Sequence, residues 1–322
     1  MIRGLVIGKF MPVHNGHLAL IYFAAERCDE LIVSMSYTPS DPIAAHIRLK
    51  WLREIFKGNS KLYIQQIEDD FDQPHLPPAN RTAIWAAQIK NHFGKVDVVF
   101  SSEDYGEPFA AHLGARHISF DRERKMIPVS ATQIRQHPLR NWEYLPAVVR
   151  PYYVKKICFY GPESTGKSTL AEKMAARYQT HFVPEVAREM ITSNNFTIED
   201  IIRIGQAQTE RVRNKQLTAH KLLLCDTDLI TTQIYSQHYL GVVPAELIEL
   251  ERQIKYDLYF LFDVDVPWVS DGLRDLGHKR AEMFRAFRSE LEKRKIPFLL
   301  VQGTYAQREE FVQKHLDKLL TS

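Results

Sequence analysis

Short apolar, often β-branched runs alternate with helical patterns along the chain, and this alternation limits the fold more than any other feature. Strand-like runs occur at residues 5–7, 31–34, 62–67, 96–100, 157–160, 222–225, 259–262 and 298–301. Segments with apolar residues three or four apart fill the intervals, at residues 17–25, 82–92, 170–178, 199–217, 280–294 and 308–320. This order is typical of βαβ units, so it predicts an α/β protein with parallel sheets.

The length and one proline-rich junction divide this pattern into two domains. The chain has 322 residues, about two domains' worth. Pro138, Pro146 and Pro151 interrupt the alternation before a new strand begins. We therefore expect two parallel-sheet domains, residues 1–152 and residues 153–322.

Composition excludes several classes of protein. Hydrophobic residues make up 45% of the chain, and the formal net charge is only +3, so disordered chains and dedicated nucleic-acid-binding domains do not fit. No apolar run is long enough to cross a membrane. The first strand follows Met1 too closely for a signal peptide, so we expect a cytoplasmic protein. Cys28, Cys158 and Cys225 form no CxxC pair and are interpreted as buried apolar residues.

Residues Gly161-Pro-Glu-Ser-Thr-Gly-Lys-Ser168 match the phosphate-binding pattern G-x-x-x-x-G-K-[ST] at every fixed position. A strand-like run precedes the motif and a helical pattern follows it. We expect Lys167 to reach the β- and γ-phosphates of ATP and Ser168 to bind Mg²⁺. The other predicted ATP-binding residues of this loop are Gly161, Glu163, Ser164, Thr165, Gly166 and Thr169.

The residues that would bind the acceptor of a transferred phosphate form no motif as specific as the phosphate-binding loop. Asp226 ends a strand-like run and is a candidate Mg²⁺ ligand or base, with helix capping as the alternative, which Asp228 fits better. Glu185 and Arg188 follow a short strand and are candidates for binding sugar hydroxyls and a phosphate. Solvated charges on a helix surface are the alternative for this pair.

A segment rich in glycine and charge, residues 267–280, is predicted to form a lid. Arg274 and Arg280 are expected to close over the transferred phosphoryl group. Trp268 either stacks on a flat ring or packs under the lid.

Two histidines mark a different anion site near the start of the chain. His14 and His17 flank Gly16 where a strand leads into a helix, so both rings can donate to an α-phosphate. Lys9 reaches the same anion, and a metal site is the less favoured alternative. A second piece, Ser130-Ala-Thr132-Gln-Ile-Arg135, places an arginine close to capping hydroxyls.

The two pieces together resemble the nucleotidylyltransferase superfamily, which uses H-x-G-H and an S/T-x-x-R segment to transfer an adenylyl group from ATP. Residues 80–85 and 97–102 are similar to the segments around nicotinamide in nicotinamide mononucleotide (NMN) adenylyltransferases of the archaeal type. The resemblance implies that Trp85 stacks on the pyridinium ring and that Arg48 contacts a phosphate. A core tryptophan and a solvated arginine are the alternatives.

The order of the motifs resembles the bacterial NadR family, which combines NMN adenylyltransferase and ribosylnicotinamide kinase. Residues 142–146, 226–233 and 267–274 extend the similarity. It implies a Rossmann-like nucleotidylyltransferase domain followed by a P-loop kinase domain, with Mg²⁺ as cofactor and ATP as co-substrate of both. Some members carry an N-terminal helix-turn-helix repressor, whereas here the first strand begins almost at Met1, so we expect no repressor role and no nucleic-acid partner.

The resemblance implies two successive reactions. The kinase domain phosphorylates nicotinamide riboside, with Asp226 orienting or deprotonating its 5′-hydroxyl, and the first domain converts NMN and ATP to NAD and pyrophosphate. The implied adenylyl-transfer residues are Lys9, His14, His17 and Arg135, with Gly8, Phe10, Gly16, Ser130 and Thr132 binding ATP. The expected partners are the small molecules ATP, nicotinamide riboside, NMN and NAD, and we expect no binding to a membrane. Whether the protein forms a homo-oligomer is left open. The alternatives are another adenylyltransferase–kinase fusion and a nucleotide-sensing regulatory protein.

Overall fold

The computed structural model describes residues 1–73, 75–191, 193, 195–270 and 274–321. The chain divides into two compact units, Met1–Arg150 and Pro151–Ser322. In the described part of the chain, no helix has the length and apolar character needed to cross a membrane.

Unit 1 is built on a five-stranded parallel sheet with the order β3-β2-β1-β4-β5. Its strands are β1 (Arg3–Gly8), β2 (Glu30–Tyr37), β3 (Leu62–Glu68), β4 (Val98–Ser101) and β5 (Arg116–Ser119). Its helices are α1 (Asn15–Ala25), α2 (Ala45–Ile55), α3 (Pro78–Phe93), α4 (Gly106–Leu113) and α5 (Ala131–Gln136), with a short 3₁₀ helix at Trp142–Tyr144. The strand order reverses between β1 and β4, where a crevice opens at the carboxyl ends of the strands.

Unit 2 has a second five-stranded parallel sheet, with the order β10-β9-β6-β8-β7. Its strands are β6 (Lys155–Tyr160), β7 (His181–Val183), β8 (Leu222–Asp226), β9 (Leu258–Phe262) and β10 (Phe298–Val301). Its helices are α7 (Lys167–Arg177), α8 (Ala187–Met190), α9 (Ile198–Gln216), α10 (Leu229–Leu240), α11 (Ala245–Glu251), α12 (Arg280–Lys293) and α13 (Tyr305–Thr321), with a 3₁₀ turn at Gly277–Lys279. The division between the units falls inside a short helix, α6 (Arg150–Tyr153).

Both faces of the unit 2 sheet are covered by helices, which explains why its strands are mostly apolar. Ile157 and Phe159 belong to a core cluster that includes residues of α7 and α13. Cys158 and Tyr160, which alternate with them, belong to the cluster that includes residues of α10 and α12. The alternation of side chains along a strand therefore connects β6 to both helical layers.

The structure confirms the predicted α/β class and the parallel sheets. Every strand-like run of the sequence overlaps a strand, and the predicted helical segments overlap α1, α3, α7, α9, α12 and α13. β5 was not predicted, because its four residues include a single apolar side chain, Ile118. Asp228 caps α10, as expected, by accepting a hydrogen bond from the Thr231 amide at 3.0 Å.

Replacing Phe287 by alanine should destabilise unit 2 by about 3–5 kcal/mol, because this fully buried ring packs edge-on against Tyr160 at 4.9 Å between centroids. Urea unfolding followed by circular dichroism measures the change. The control is Arg288→Ala on the same helix, which removes only an exposed ion pair with Glu292. An equal loss of stability in both variants would contradict this account of the core.

Candidate functional site

The loop between β6 and α7 in unit 2 has the backbone of a phosphate-binding loop. Gly161 and Gly166 have φ angles of +139° and +82°, which L-residues with side chains rarely adopt. A Cβ on Gly161 would lie 2.8 Å from the carbonyl oxygen of Phe262, so the loop requires glycine there. The motif therefore follows the central strand and ends at a helix N-terminus, the setting that binds phosphate groups.

Lys167 lies inside this loop. Its side chain is buried, and its Nζ donates to the carbonyl oxygen of Pro162 at 2.6 Å. Burial lowers the pKa of the ammonium group, and the carboxylate of Asp226 opposes that change. A buried ammonium bonded to one loop carbonyl is well placed to bind a phosphate oxygen instead.

Asp226 ends β8 beside the loop and is 1% exposed. The Ser168 hydroxyl donates to its carboxylate, while its Oδ1 has no hydrogen-bond partner among the described residues. Burial raises the pKa of Asp226 to about 6, although Lys167 acts in the opposite direction. A hydroxyl and a carboxylate oxygen lacking a partner are ligand types that suit Mg²⁺, which usually binds one or two carboxylates together with substrate phosphates.

A cavity of about 180 Å³ opens beside the loop. Glu185 and Arg188 line it and form an ion pair at 3.0 Å, so these two predicted residues do lie at the site. The predicted loop residues Gly161, Glu163, Ser164, Thr165, Gly166, Lys167, Ser168 and Thr169 line it as well.

Several residues that line this cavity were not predicted from the sequence, and three of them carry polar groups suited to a ligand. Tyr235 and Tyr239 lie one turn apart on α10 with their rings stacked, 6.3 Å between centroids. Gln208 is 3% exposed; its Oε1 accepts from the Val186 amide at 2.9 Å, and its Nε2 lacks a partner in the described structure. The four-residue spacing of the tyrosines was a usable signal, whereas nothing in the sequence distinguishes Gln208 from other helical glutamines.

The structure assigns different roles to the residues of the predicted lid, of which residues 271–273 lie outside the described part of the chain. Arg274 lines the cavity, as expected. Trp268 does not: its ring packs against Gly277, where an added Cβ would lie 2.8 Å from its Cε2. Arg280 instead donates to the backbone carbonyls of Val266 and Ser164, at 2.8 Å and 3.2 Å. Of the two interpretations of Trp268, packing against the lid is therefore the one the structure supports.

Unit 1 contains a larger cavity, about 580 Å³, at the carboxyl ends of β1 and β4. Most of the residues predicted for this unit line it, although they are separated by more than a hundred positions in the chain. They are Gly8, Lys9, Phe10, His14, Gly16, His17, Trp85, Ser130, Thr132 and Arg135.

The two histidines form a capping box at the start of α1. The Gly16 amide donates to His14 Nδ1 at 3.1 Å, and the His14 amide donates to His17 Nδ1 at 3.3 Å. Because each Nδ1 accepts a hydrogen bond, the proton of each neutral ring lies on Nε2. The pair therefore presents two N–H donors at the N-terminus of a helix, a suitable arrangement for an anion.

Both imidazoles are neutral at physiological pH. Burial lowers the pKa of His14 to about 4, and the nearby charge of Arg124 adds to the effect. Burial also lowers the pKa of His17 well below its usual value, with contributions from His14 and Arg124. An anion bound between the rings would act in the opposite direction.

The other side chains predicted to contact ATP in this cavity form hydrogen bonds or ion pairs with neighbouring residues of the protein. Arg135 donates to the carbonyl oxygen of Met11 and, at 3.1 Å, to Thr132 Oγ1. Ser130 caps α5 by accepting from the Gln133 amide at 3.2 Å. Lys9 Nζ lies 3.4 Å from Asp41, and nearly half of its side chain is exposed.

Arg48 does not contact the cavity, in contrast to the expectation that it binds a phosphate. Its side chain is fully buried, donating to the carbonyl oxygen of Lys9 at 2.5 Å and to Asp41 at 2.7 Å. Asp41 also holds the Lys9 ammonium, so Arg48 braces the turn that carries Lys9. The resemblance that suggested a phosphate contact for Arg48 did not show which way its side chain points.

Trp85 lies at one end of the same cavity with its ring edge-on to Phe71. Its indole donates to Asp72 at 3.2 Å, and Arg81 forms a two-point ion pair with that carboxylate. The ring is therefore fixed in orientation while remaining accessible from the cavity. Asp72, Arg81 and the further cavity residue Arg124 were not predicted from the sequence.

The ring of His14 should remain neutral from pH 8 down to about pH 5.5 in the free protein. In an NMR titration, its Cε1–H resonance, assigned with His14→Gln, should shift only below pH 5. Between the usual histidine pKa of 6.5 and about 4 the unfolded chain binds more protons, so unit 1 loses stability as the pH falls through this range. A titration midpoint near pH 6.5 for His14 would contradict the burial of its ring.

The sequence is similar to two protein families and to curated proteins of NAD synthesis. Residues 5–137 match the family described as Cytidylyltransferase-like, and residues 156–308 match the family described as AAA domain. The trifunctional NAD biosynthesis/regulator protein NadR of Escherichia coli (strain K12) is 31% identical over 326 residues, which cover 93% of this chain and 78% of that protein. The nicotinamide-nucleotide adenylyltransferase of Methanoculleus marisnigri is 31% identical over 159 residues, covering 46% of this chain and 89% of that enzyme.

Two solved structures share the fold. A NadR protein in complex with NR has a TM-score of 0.79 and 22% identity, covering 98% of this chain and 95% of that chain. A NadR protein in complex with NAD and AMP-PNP also has a TM-score of 0.79, with 21% identity and coverage of 100% and 97%.

Proposed function

Since this chain belongs to the NadR family, as its similarity to the Escherichia coli protein over 93% of its length shows, we propose that it performs two consecutive reactions of NAD synthesis. Unit 2 phosphorylates nicotinamide riboside with ATP, and unit 1 joins the resulting NMN to the adenylyl group of a second ATP. One observation carries the proposal: each unit has a cavity at the carboxyl ends of its strands, one lined by Lys167 and the glycine loop and the other by two neutral histidines.

In unit 2 the triphosphate of ATP binds residues 161–169, with Lys167 and Arg274 neutralising its charge. The 5′-hydroxyl oxygen of the riboside bonds to the γ-phosphorus, while the bond from that phosphorus to the β-bridging oxygen breaks and ADP leaves. Asp226 orients the hydroxyl and accepts its proton. Catalysis here is mainly positioning and charge stabilisation.

Magnesium is the cofactor that the donor set of unit 2 fits. Ser168 and Asp226 would hold it, through a hydroxyl and a buried carboxylate. A bound Mg²⁺ neutralises charge on the β- and γ-phosphates.

The cavity beside the loop suits nicotinamide riboside in charge and in hydrogen-bonding groups. The faces of Tyr235 and Tyr239 favour a positively charged pyridinium ring. Glu185 is able to accept hydrogen bonds from ribose hydroxyls, and the Nε2 of Gln208 offers a donor to a substrate oxygen.

In unit 1 a phosphate oxygen of NMN bonds to the α-phosphorus of ATP, the bond from that phosphorus to the α,β-bridging oxygen breaks, and pyrophosphate leaves. The Nε2–H groups of His14 and His17 donate to the α-phosphate, while Lys9 and Arg135 neutralise the charge that develops. No proton has to leave the nucleophile, because a phosphate monoester is mostly a dianion at neutral pH.

The two activities should be separable by mutation. His17→Ala should reduce NAD formation from NMN and ATP by about 10²–10³-fold and leave NMN formation from the riboside unchanged. Lys167→Ala should have the reverse effect, because it removes the ammonium of the other phosphate site. ADP and NMN are quantified over time with Mg-ATP and riboside as substrates, and NAD and pyrophosphate are quantified in a separate reaction with Mg-ATP and NMN.

Melting curves of both variants provide the control for folding. Loss of both activities in either folded variant would overturn the two-site assignment. If wild-type protein forms ADP and NMN but no NAD, unit 1 acts on another substrate, and if it forms no product at all, the proposal fails.

Trp85→Ala should raise the KM for NMN by about 2- to 30-fold, the range expected when a cation–aromatic contact is lost. Trp85→Phe should recover much of the difference, because it keeps an aromatic face. Steady-state kinetics of NAD formation measure both variants, with kinase activity in the same sample as the control. An unchanged KM in Trp85→Ala would show that this ring does not contact the nicotinamide.

A further inference from the structure

Arg124 is a basic residue of the unit 1 cavity that belongs to none of the sequence motifs. It lies in the loop between β5 and α5 and lines the same cavity as His14 and His17. Its positive charge contributes to the lowered pKa values of both histidines, after burial. The guanidinium is therefore close enough to act electrostatically on an anion that the histidine pair binds.

The loop that carries Arg124 is held in an unusual conformation. Asp121 and Arg124 have φ angles of +41° and +52°, in the left-handed region that non-glycine residues seldom occupy. The Asp121 carboxylate accepts hydrogen bonds from the amides of Lys125, Met126 and Ile127, the shortest at 2.8 Å. These bonds stabilise a strained turn, and the turn directs Arg124 towards the cavity.

Arg124 has an acidic partner that a triphosphate is able to replace. Its guanidinium donates to Glu103 at 2.9 Å, and Glu103 lines the cavity too. Both side chains are about half exposed, at 40% and 53%. A pair this exposed is weak, because water screens the attraction, and the released carboxylate is readily solvated.

We propose that Arg124 is a further phosphate-binding residue of the adenylyl-transfer site, held by Glu103 until ATP enters the cavity. The inference rests on the function proposed for unit 1. When the NMN phosphate bonds to the α-phosphorus and the bond to pyrophosphate breaks, negative charge accumulates on the pyrophosphate oxygens. Arg124 neutralises this charge from the rim of the cavity, and Glu103 turns to solvent.

The same loop offers a matched control. Arg122 forms an ion pair at 2.6 Å with Asp104, the residue that follows Glu103 in the chain. The side chains of Arg122 and Asp104 are 66% and 81% exposed, and neither lines the cavity. Arg122 and Arg124 therefore differ in access to the cavity while sharing charge, loop and type of partner.

The first test compares Arg124→Ala, Arg124→Lys and Arg122→Ala in full-length protein. We expect Arg124→Ala to reduce kcat/KM for NAD formation, with ATP varied and NMN in excess, by about 10²-fold. Arg124→Lys should recover part of the loss, since lysine keeps the charge but not the two-point geometry. Arg122→Ala should stay within about twofold of wild type, and kinase activity should not change in any variant.

The second test addresses the partner and does not remove the arginine. Glu103→Gln should lower the KM for ATP in NAD formation by about two- to fivefold, because Arg124 no longer has a charged competitor. Asp104→Asn should leave this KM unchanged. These two variants decide the question even if Arg124→Ala proves unstable in a melting experiment.

Arg124→Ala within threefold of wild type, equal losses in Arg122→Ala and Arg124→Ala, or a higher KM in Glu103→Gln would each overturn the inference. A wild-type protein that makes no NAD from NMN and ATP would overturn the proposed function of unit 1, and the Arg124 assignment with it. An active wild type with an unaffected Arg124→Ala would overturn the Arg124 assignment alone.

Discussion

The parallel pairing of strands is the constraint on which both sites depend. Each pair of parallel neighbours needs a crossover connection, so all the carboxyl ends of a sheet lie at one edge and the helices begin near that edge. In unit 1 this geometry brings the turn after β1 next to the segment after β4. In unit 2 it places the phosphate-binding loop after β6 beside Asp226 at the end of β8. Residues far apart in the chain meet because their strands are neighbours.

The two units offer a phosphate group different chemistry at similar places in the fold. Unit 2 uses a glycine-dependent loop and a buried lysine, which suit the β- and γ-phosphates of a transferable phosphoryl group. Unit 1 uses neutral histidines whose Nδ1 atoms are occupied by backbone amides, so that only N–H groups face the anion. A neutral donor stabilises charge that appears during the reaction without holding the ground-state anion too strongly.

Several arginines stabilise the loops of the sites by donating hydrogen bonds to backbone carbonyl oxygens. Arg48 holds the carbonyl of Lys9, Arg280 holds that of Ser164, and the buried Arg308 donates to Thr165 at 2.9 Å and pairs with Asp265. A guanidinium has five donors and no acceptor, so one side chain is able to fix several loop carbonyls at once.

The α/β class, most of the strands, the glycine loop and the histidine pair were readable from the sequence, because these depend on local periodicity and on fixed spacings. The sequence did not determine the directions of long side chains or the partners of charged groups. Arg48 was expected at a phosphate and is instead buried against Asp41, while Trp268, for which stacking on a ligand was one of two interpretations, packs against Gly277. Arg124, Gln208 and the four-residue strand β5 were not foreseen. These features follow from the folded arrangement, because burial and the pairing of charges depend on which elements are neighbours in space.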